Sequence, residues 1–149
     1  MRRKQGWILL AVALAFAMGA CASMDTAKPP SLYQRLGGRE GISLVVGDFV
    51  ASVAADNRIN ARFKDLKPAE LEKLKSNLAD QICDATGGPC AYLGRDMKTT
   101  HKSMNITEAE WTATVENLAK ALDKHNVSAT AKNELLGALG PMKQDIVGQ

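Results

Sequence analysis

Residues 87–101 read GGPCAYLGRDMKTTH, and this stretch decides how the rest of the chain is interpreted. Gly87-Gly88-Pro89 predicts the end of a helix, because glycine is favoured just after a helix and proline cannot continue one. Downstream, Met97 lies four residues before His101, and Met104 lies three residues after it. Residues at this spacing share one helical face. The stretch therefore predicts a helix end, a connection and a second helix that carries His101.

Helical periodicity extends on both sides of this stretch, and long alternating strand patterns are absent from the sequence. The apolar stripes are Ile42, Val46, Phe49, Val50 and Val53; Leu71, Leu74, Leu78, Ile82 and Ala85; Trp111, Val115, Leu118 and Leu122; and Leu135, Leu139, Met142 and Ile146. Thr107 and Glu110 form a capping box before the third stripe, and Pro141 should bend or break the last helix. The sequence predicts an all-α domain with four substantial helices.

The two histidines of the chain differ in their surroundings. His125 lies among charged and polar neighbours at a predicted helix end, which favours a solvated surface residue. His101 projects from an apolar face with Met97 and Met104, and a neutral imidazole in such a setting suits a haem iron. The same three residues could bind copper(I), because thioether and imidazole are suitable donors. A helical protein whose half-buried histidine has no cofactor is the third interpretation.

Five short motifs run through the chain in a fixed order. They are Ser31-Leu32-Tyr33-Gln34-Arg35-Leu36-Gly37-Gly38, Asp56-Asn57-Arg58-Ile59 with Phe63, Gly87-Gly88-Pro89 with Tyr92, Gly94-Arg95-Asp96-Met97 ahead of His101, and Ile106-Thr107. In this order and spacing the chain resembles group 1 truncated haemoglobins from Leu32 to Val147. The resemblance implies a two-over-two helical sandwich with one haem b per chain, which binds oxygen, nitric oxide or carbon monoxide at its iron.

The resemblance also implies roles for individual residues on the proximal side. His101 corresponds to the haem ligand, and the haem is expected between its helix and the helix that carries Leu74. Phe63 matches the aromatic residue that packs against the haem at a bend between helices. Tyr92, Met97 and Met104 fall where further haem contacts are expected.

The chain departs from the family pattern on the distal side. Val50 stands where the family often has a tyrosine that donates a hydrogen bond to bound oxygen, and Leu74 and Leu78 stand where it often has glutamine. Asn77 replaces the His or Lys that often meets a haem propionate. Gln81 is the nearest polar side chain that could turn inward. An apolar distal pocket argues against strong oxygen storage.

The residues do not decide whether the physiological role is gas binding, sensing or nitric oxide chemistry. The last of these includes a nitric oxide dioxygenase-type side activity. A reductase or another protein partner is expected, although no residue identifies it.

The N-terminus predicts export. A basic start is followed by an apolar run, Trp7 to Met18, that is short for a membrane span of about 20 apolar residues. Met18-Gly19-Ala20-Cys21 resembles a lipobox, the site where bacteria attach lipid to a cysteine and cleave just before it. Ala22 after the cysteine implies delivery to the outer membrane. The alternative is an ordinary cleaved signal. We expect a signal peptide at 1–20, a lipid-anchored tether at 21–30 and the globin domain at 31–149, on the periplasmic face of the envelope.

Removal of the signal changes the charge, and lipidation of Cys21 changes the number of cysteines available for a disulfide. Three of the 19 Lys and Arg residues precede residue 21, which leaves 16 against 16 Asp and Glu. A nearly neutral protein lacks the basic footprint of a nucleic-acid partner. Cys83 and Cys90 remain after Cys21 is assigned to lipid, and an oxidising compartment permits a disulfide between them. Two buried free thiols are the alternative.

Overall fold

The structure is a computed structural model that describes residues 28–149 of the chain. The expected signal peptide at 1–20, the lipidated Cys21 and most of the expected tether at 21–30 lie outside the described residues. Within residues 28–149, no helix is both long enough and apolar enough to cross a membrane.

The described part of the chain is helical, as the periodicity predicts. Its elements are α1 (Leu32–Arg35), α2 (Gly38–Ala55), a 3₁₀ turn (Asn60–Arg62), α3 (Pro68–Ala85), α4 (Met97–His101), α5 (Glu108–Lys124), α6 (Ala129–Leu139) and a 3₁₀ segment (Gly140–Asp145). Residues 28–149 contain no β-strand, and one isolated bridge joins Ile106 to Val147. The four long helices are α2, α3, α5 and α6.

The helix ends follow the local chemistry of the sequence. The side chain of Thr107 accepts a hydrogen bond from the backbone N–H of Glu110, whose carboxylate accepts one from the N–H of Thr107, so the predicted capping box is present. Pro68 occupies the first turn of α3, where its missing N–H costs nothing. Pro141 ends α6 as a regular helix, and the chain continues in 3₁₀ form.

Helix α2 lies at the centre of the core and packs against both α3 and α5. It buries six side chains: Ile42, Val45, Val46, Phe49, Val50 and Val53. The buried residues of α3 are Ala79, Ile82 and Cys83, whereas Leu71, Leu74 and Leu78 are only half-buried. Leu71 and Leu78 nevertheless pack against the core cluster, as the predicted stripe requires, whereas Ala85, the last residue of that stripe, is exposed.

A disulfide joins Cys83, at the end of α3, to Cys90 in the connection that leads to α4. The two Cα atoms lie 5.8 Å apart, and the chain reverses between them with Gly87 in the left-handed region at φ 77°. A Cβ at Gly88 would lie 2.5 Å from the sulfur of Cys83 and 2.6 Å from the ring of Tyr33, so only glycine fits there. The disulfide therefore restrains the connection that precedes α4.

Loss of this disulfide should lower the free energy of unfolding by about 2 kcal/mol, because the bridge restricts a short loop in the unfolded chain. Urea denaturation of the oxidised protein and of the Cys83→Ala/Cys90→Ala variant measures the difference. A reductant should lower the midpoint of the unmodified protein and leave that of the double variant unchanged. Two reactive thiols in the denatured, non-reduced protein would contradict the pairing.

Candidate functional site

His101 is the last residue of α4, and its imidazole is held in a defined orientation. Its Nδ1 lies 2.8 Å from the carbonyl oxygen of Met97, one turn earlier in the same helix. A carbonyl oxygen only accepts hydrogen bonds, so Nδ1 must carry the proton and donate it. In the neutral ring, the lone pair is then on Nε2, which is the nitrogen available to bind a metal.

Gln81 shows which face of α3 lies opposite α4. Leu74, Leu78 and Gln81 share one face of α3, at intervals of four and three residues. The side-chain amide of Gln81 donates a hydrogen bond to the sulfur of Met97 over 3.4 Å, and Met97 shares a face of α4 with His101. We call the space between these two faces the α3–α4 cleft.

The residues of the α3–α4 cleft are half-buried, unlike those on the core face of the same helix. Leu74, Leu78, Met97 and His101 all remain partly exposed, whereas Cys83 is fully buried. Half-buried leucine and methionine side chains are the kind of apolar lining that ligand sites use. The cleft combines such a lining with one imidazole nitrogen.

The donor set fits haem better than it fits a bare metal ion. Among residues 28–149, no group of three or more His, Cys, Asp or Glu side chains could hold a metal ion. A lone imidazole therefore suits a metal whose other ligands come with it, as the four nitrogens of a porphyrin do. The apolar walls of the cleft suit the porphyrin ring itself.

The other expected haem contacts lie on the elements that border the cleft. Phe63 follows the 3₁₀ turn directly and packs against the core while staying half-buried. Tyr92 is fixed within its own loop, because its N–H donates to Asp84 over 3.1 Å and its hydroxyl donates to the carbonyl oxygen of Arg95 over 2.8 Å. Burial raises the pKa of the Tyr92 phenol above its ordinary value. The phenol therefore stays protonated and directed at the backbone of its loop.

The residues expected on the distal side are apolar except for Gln81. Val50 is fully buried in the core, and Leu78 packs against the same core cluster. The amide nitrogen of Gln81 contacts the sulfur of Met142 over 3.6 Å as well as that of Met97. It therefore points to α4 and the last 3₁₀ segment. Asn77 lies half-buried on α3, one turn before Gln81.

His125 is not the solvated surface residue that the sequence suggests. Its imidazole is half-buried, and Nε2 lies 2.7 Å from a carboxylate oxygen of Asp48 on α2. Lys124 donates to the other oxygen of Asp48 over 2.7 Å, and the hydrogen bonds from Lys124 and His125 lower the pKa of Asp48. Because the partner lies 77 residues away, local sequence gave no sign of this pair. Of the two histidines, only His101 lies on the cleft.

Arg62 is the residue near the site that sequence reasoning missed. Its guanidinium makes two hydrogen bonds to Glu110 and a third, of 2.8 Å, to the carbonyl oxygen of Met104. The pairing with Arg62 is the largest cause that lowers the pKa of Glu110, to about 2. Neither the spacing nor the composition of the sequence distinguishes this arginine from the other exposed ones.

The fold and the cleft together define a globin. The sequence profile of the bacterial-like globin family matches residues 31–147. The group 1 truncated haemoglobin of Mycolicibacterium paratuberculosis is 32% identical over 129 residues, which cover 87% of this chain and 93% of the relative. The corresponding protein of Tetrahymena pyriformis is 30% identical over 122 residues, which cover 82% of this chain and 98% of the relative. The chain belongs to the truncated haemoglobin family.

Solved structures agree with this assignment. The Fe(III) form of truncated haemoglobin from Tetrahymena pyriformis superposes with a TM-score of 0.75 at 28% identity, over 80% of this chain and 100% of that one. The 2/2 haemoglobin of Synechococcus sp. PCC 7002, in the cyanomet state with covalently attached haem, gives 0.71 at 31% identity, over 79% and 98%. The predicted two-over-two fold and the haem-binding function are confirmed. The copper(I) interpretation of Met97, His101 and Met104 has no support.

Proposed function

We propose that this globin holds haem b through Nε2 of His101 and handles a diatomic gas in an apolar pocket. The observation that carries the proposal is the hydrogen bond from Nδ1 of His101 to the carbonyl oxygen of Met97. Such a bond to the outer nitrogen fixes the tautomer and the ring orientation of a metal-binding histidine and raises its basicity. When bound, the haem supplies an iron that takes the gas as a ligand.

The walls of the cleft supply the environment of the haem. Leu74 and Leu78 on α3 offer apolar surface and keep water away, and Met97 and Met104 do the same beside His101. Phe63 and Tyr92 add aromatic contact at the edges. Asn77 would meet a propionate as a neutral hydrogen-bond donor in place of a cation. These assignments follow from the half-burial of the residues and from their positions on elements that border the cleft.

The apolar distal side should favour oxygen only weakly relative to carbon monoxide. Bound oxygen gains partial negative charge, so a nearby hydrogen-bond donor stabilises it much more than it stabilises carbon monoxide. Val50, Leu74 and Leu78 offer no such donor, and Gln81 is the nearest polar side chain on α3. We therefore expect fast oxygen dissociation and ready oxidation to the ferric state.

The place of action that we propose is the periplasmic face of the outer membrane, with a lipid anchor on Cys21. The basic N-terminus, the short apolar run and the Met18–Cys21 segment support export and lipidation. The disulfide between Cys83 and Cys90 supports the same proposal, because structural disulfides persist in oxidising compartments such as the bacterial periplasm.

Replacement of His101 by Ala should abolish stable haem retention, because it removes the imidazole of the cleft. The matched control is His125→Ala, which removes the other histidine and should leave the absorption spectrum of the haem protein unchanged. The measurement is the Soret band after reconstitution and gel filtration. An unaltered ferrous spectrum in the His101 variant would show that another residue binds the iron.

Replacement of Val50 by Tyr should slow oxygen dissociation by about tenfold or more, because a hydrogen bond to a charged group contributes about 1.5–3 kcal/mol. Carbon monoxide dissociation should change little. Val50→Phe is the control, since it adds the same ring without the hydroxyl. Stopped-flow rates decide the matter, and equal oxygen rates in the Tyr and Phe variants would refute the apolar-pocket argument.

Replacement of Cys21 by Ser should abolish labelling of the protein by a fatty-acid analogue in cells and release it from the membrane fraction. The control is the Cys83→Ala/Cys90→Ala variant, which should still be labelled. A soluble, unlabelled and processed form of the unmodified protein would instead indicate an ordinary cleaved signal.

A further inference from the structure

The chain directly after His101 adopts an unfavourable backbone conformation. Helix α4 ends at His101, and Ser103 and Asn105 follow with φ of 64° and 49°, in the left-handed region that non-glycine residues rarely adopt. Two such residues so close together persist only where the surrounding structure holds them. Whatever holds this turn also fixes the end of the helix that bears His101.

Met104 lies at the middle of this turn, and hydrogen bonds fix it on both sides. Its N–H donates to the carbonyl oxygen of His101 over 3.0 Å, and its own carbonyl oxygen accepts from Nη1 of Arg62 over 2.8 Å. The next residue, Asn105, donates its N–H to the carbonyl oxygen of Gln149 at the C-terminus over 2.6 Å. Arg62, at the end of the 3₁₀ turn, is thus a side chain from a distant part of the sequence that holds this turn.

Arg62 is itself held rigidly. Its Nε and Nη2 bind the two carboxylate oxygens of Glu110 over 2.7 and 3.1 Å, in the bidentate geometry that favours arginine. Glu110 is fixed in turn, because Thr107 donates to it from both its N–H and its hydroxyl, over 2.8 and 2.9 Å. The guanidinium therefore joins the 3₁₀ turn, the start of α5 and the turn after α4.

We propose that Arg62 is a positioning residue for His101. Through the carbonyl oxygen of Met104 it sets where α4 ends, and so it sets the angle at which the imidazole meets the haem iron. This inference rests on the proposed role of His101 as the haem ligand. Phe63 follows Arg62 directly, so the same guanidinium also restrains the backbone beside an expected haem contact.

Arg58 provides a matched comparison within the chain. It also binds two carboxylates, those of Asp56 and Glu116, each over 2.7 Å, and it also joins an early segment to α5. Its hydrogen bonds connect the end of α2 to α5 and do not involve the turn after α4. The loss of Arg58 removes a similar ion pair without releasing Met104.

The test compares Arg62→Gln with Arg58→Gln in the full haem-loaded protein. Arg62→Gln should lose haem about ten to a hundred times faster than the unmodified protein, as is typical when a residue behind a metal ligand is removed. The iron–histidine stretching band of the ferrous protein, measured by resonance Raman, should move. In the haem-free protein, the amide of Met104 should exchange its hydrogen faster. Arg58→Gln should lower the melting temperature. It should leave the rate of haem loss, the stretching band and the exchange of the Met104 amide unchanged.

Glu110→Gln is the second variant, because glutamine preserves the capping box of α5 while it removes the negative charge that holds Arg62. It should change the same three readouts in the same direction, and it decides the question if Arg62→Gln does not fold. A stretching band and a rate of haem loss that stay unchanged in Arg62→Gln would overturn the proposal, as would equal changes in Arg58→Gln. A failure of the His101 assignment would look different, since the unmodified protein would then lack the band.

Discussion

The hydrogen bond from Nδ1 of His101 to the carbonyl oxygen of Met97 is the interaction on which the site depends. It gives a helical histidine a defined tautomer, because the carbonyl oxygen accepts from the N–H at Nδ1 and Nε2 of the neutral ring is then free of a proton. The bond needs α4 to run regularly from Met97 to His101. The side chain of Asp96 contributes to this by accepting from the N–H of Thr99 over 2.8 Å at the start of that short helix.

Helix α3 links the core to the cleft. Ile82 and Cys83 are buried in the core, and Leu78 packs against that core while it shares a face of α3 with Leu74 and Gln81. The disulfide from Cys83 to Cys90 fixes the connection from α3 to α4, and Arg62 fixes the turn that follows α4. The helix that bears His101 is thus restrained on both sides, which compensates for its length of five residues.

Local patterns in the sequence were sufficient for the helices and their caps, and they marked His101 as the candidate ligand. The capping box at Thr107 and the helix break at Pro141 depend on residues a few positions apart, so they could be read directly. The pairing of His125 with Asp48 and that of Arg62 with Glu110 could not, because their partners lie 77 and 48 residues away.

The optical spectrum of the reduced, haem-reconstituted protein in the absence of gas tests the central claim most directly. If His101 is the haem ligand and the opposite side of the pocket is apolar, one haem should bind per chain and the ferrous spectrum should be that of a five-coordinate, high-spin haem. A protein that retains no haem, or a low-spin six-coordinate ferrous spectrum that shows a second protein ligand, would contradict the account.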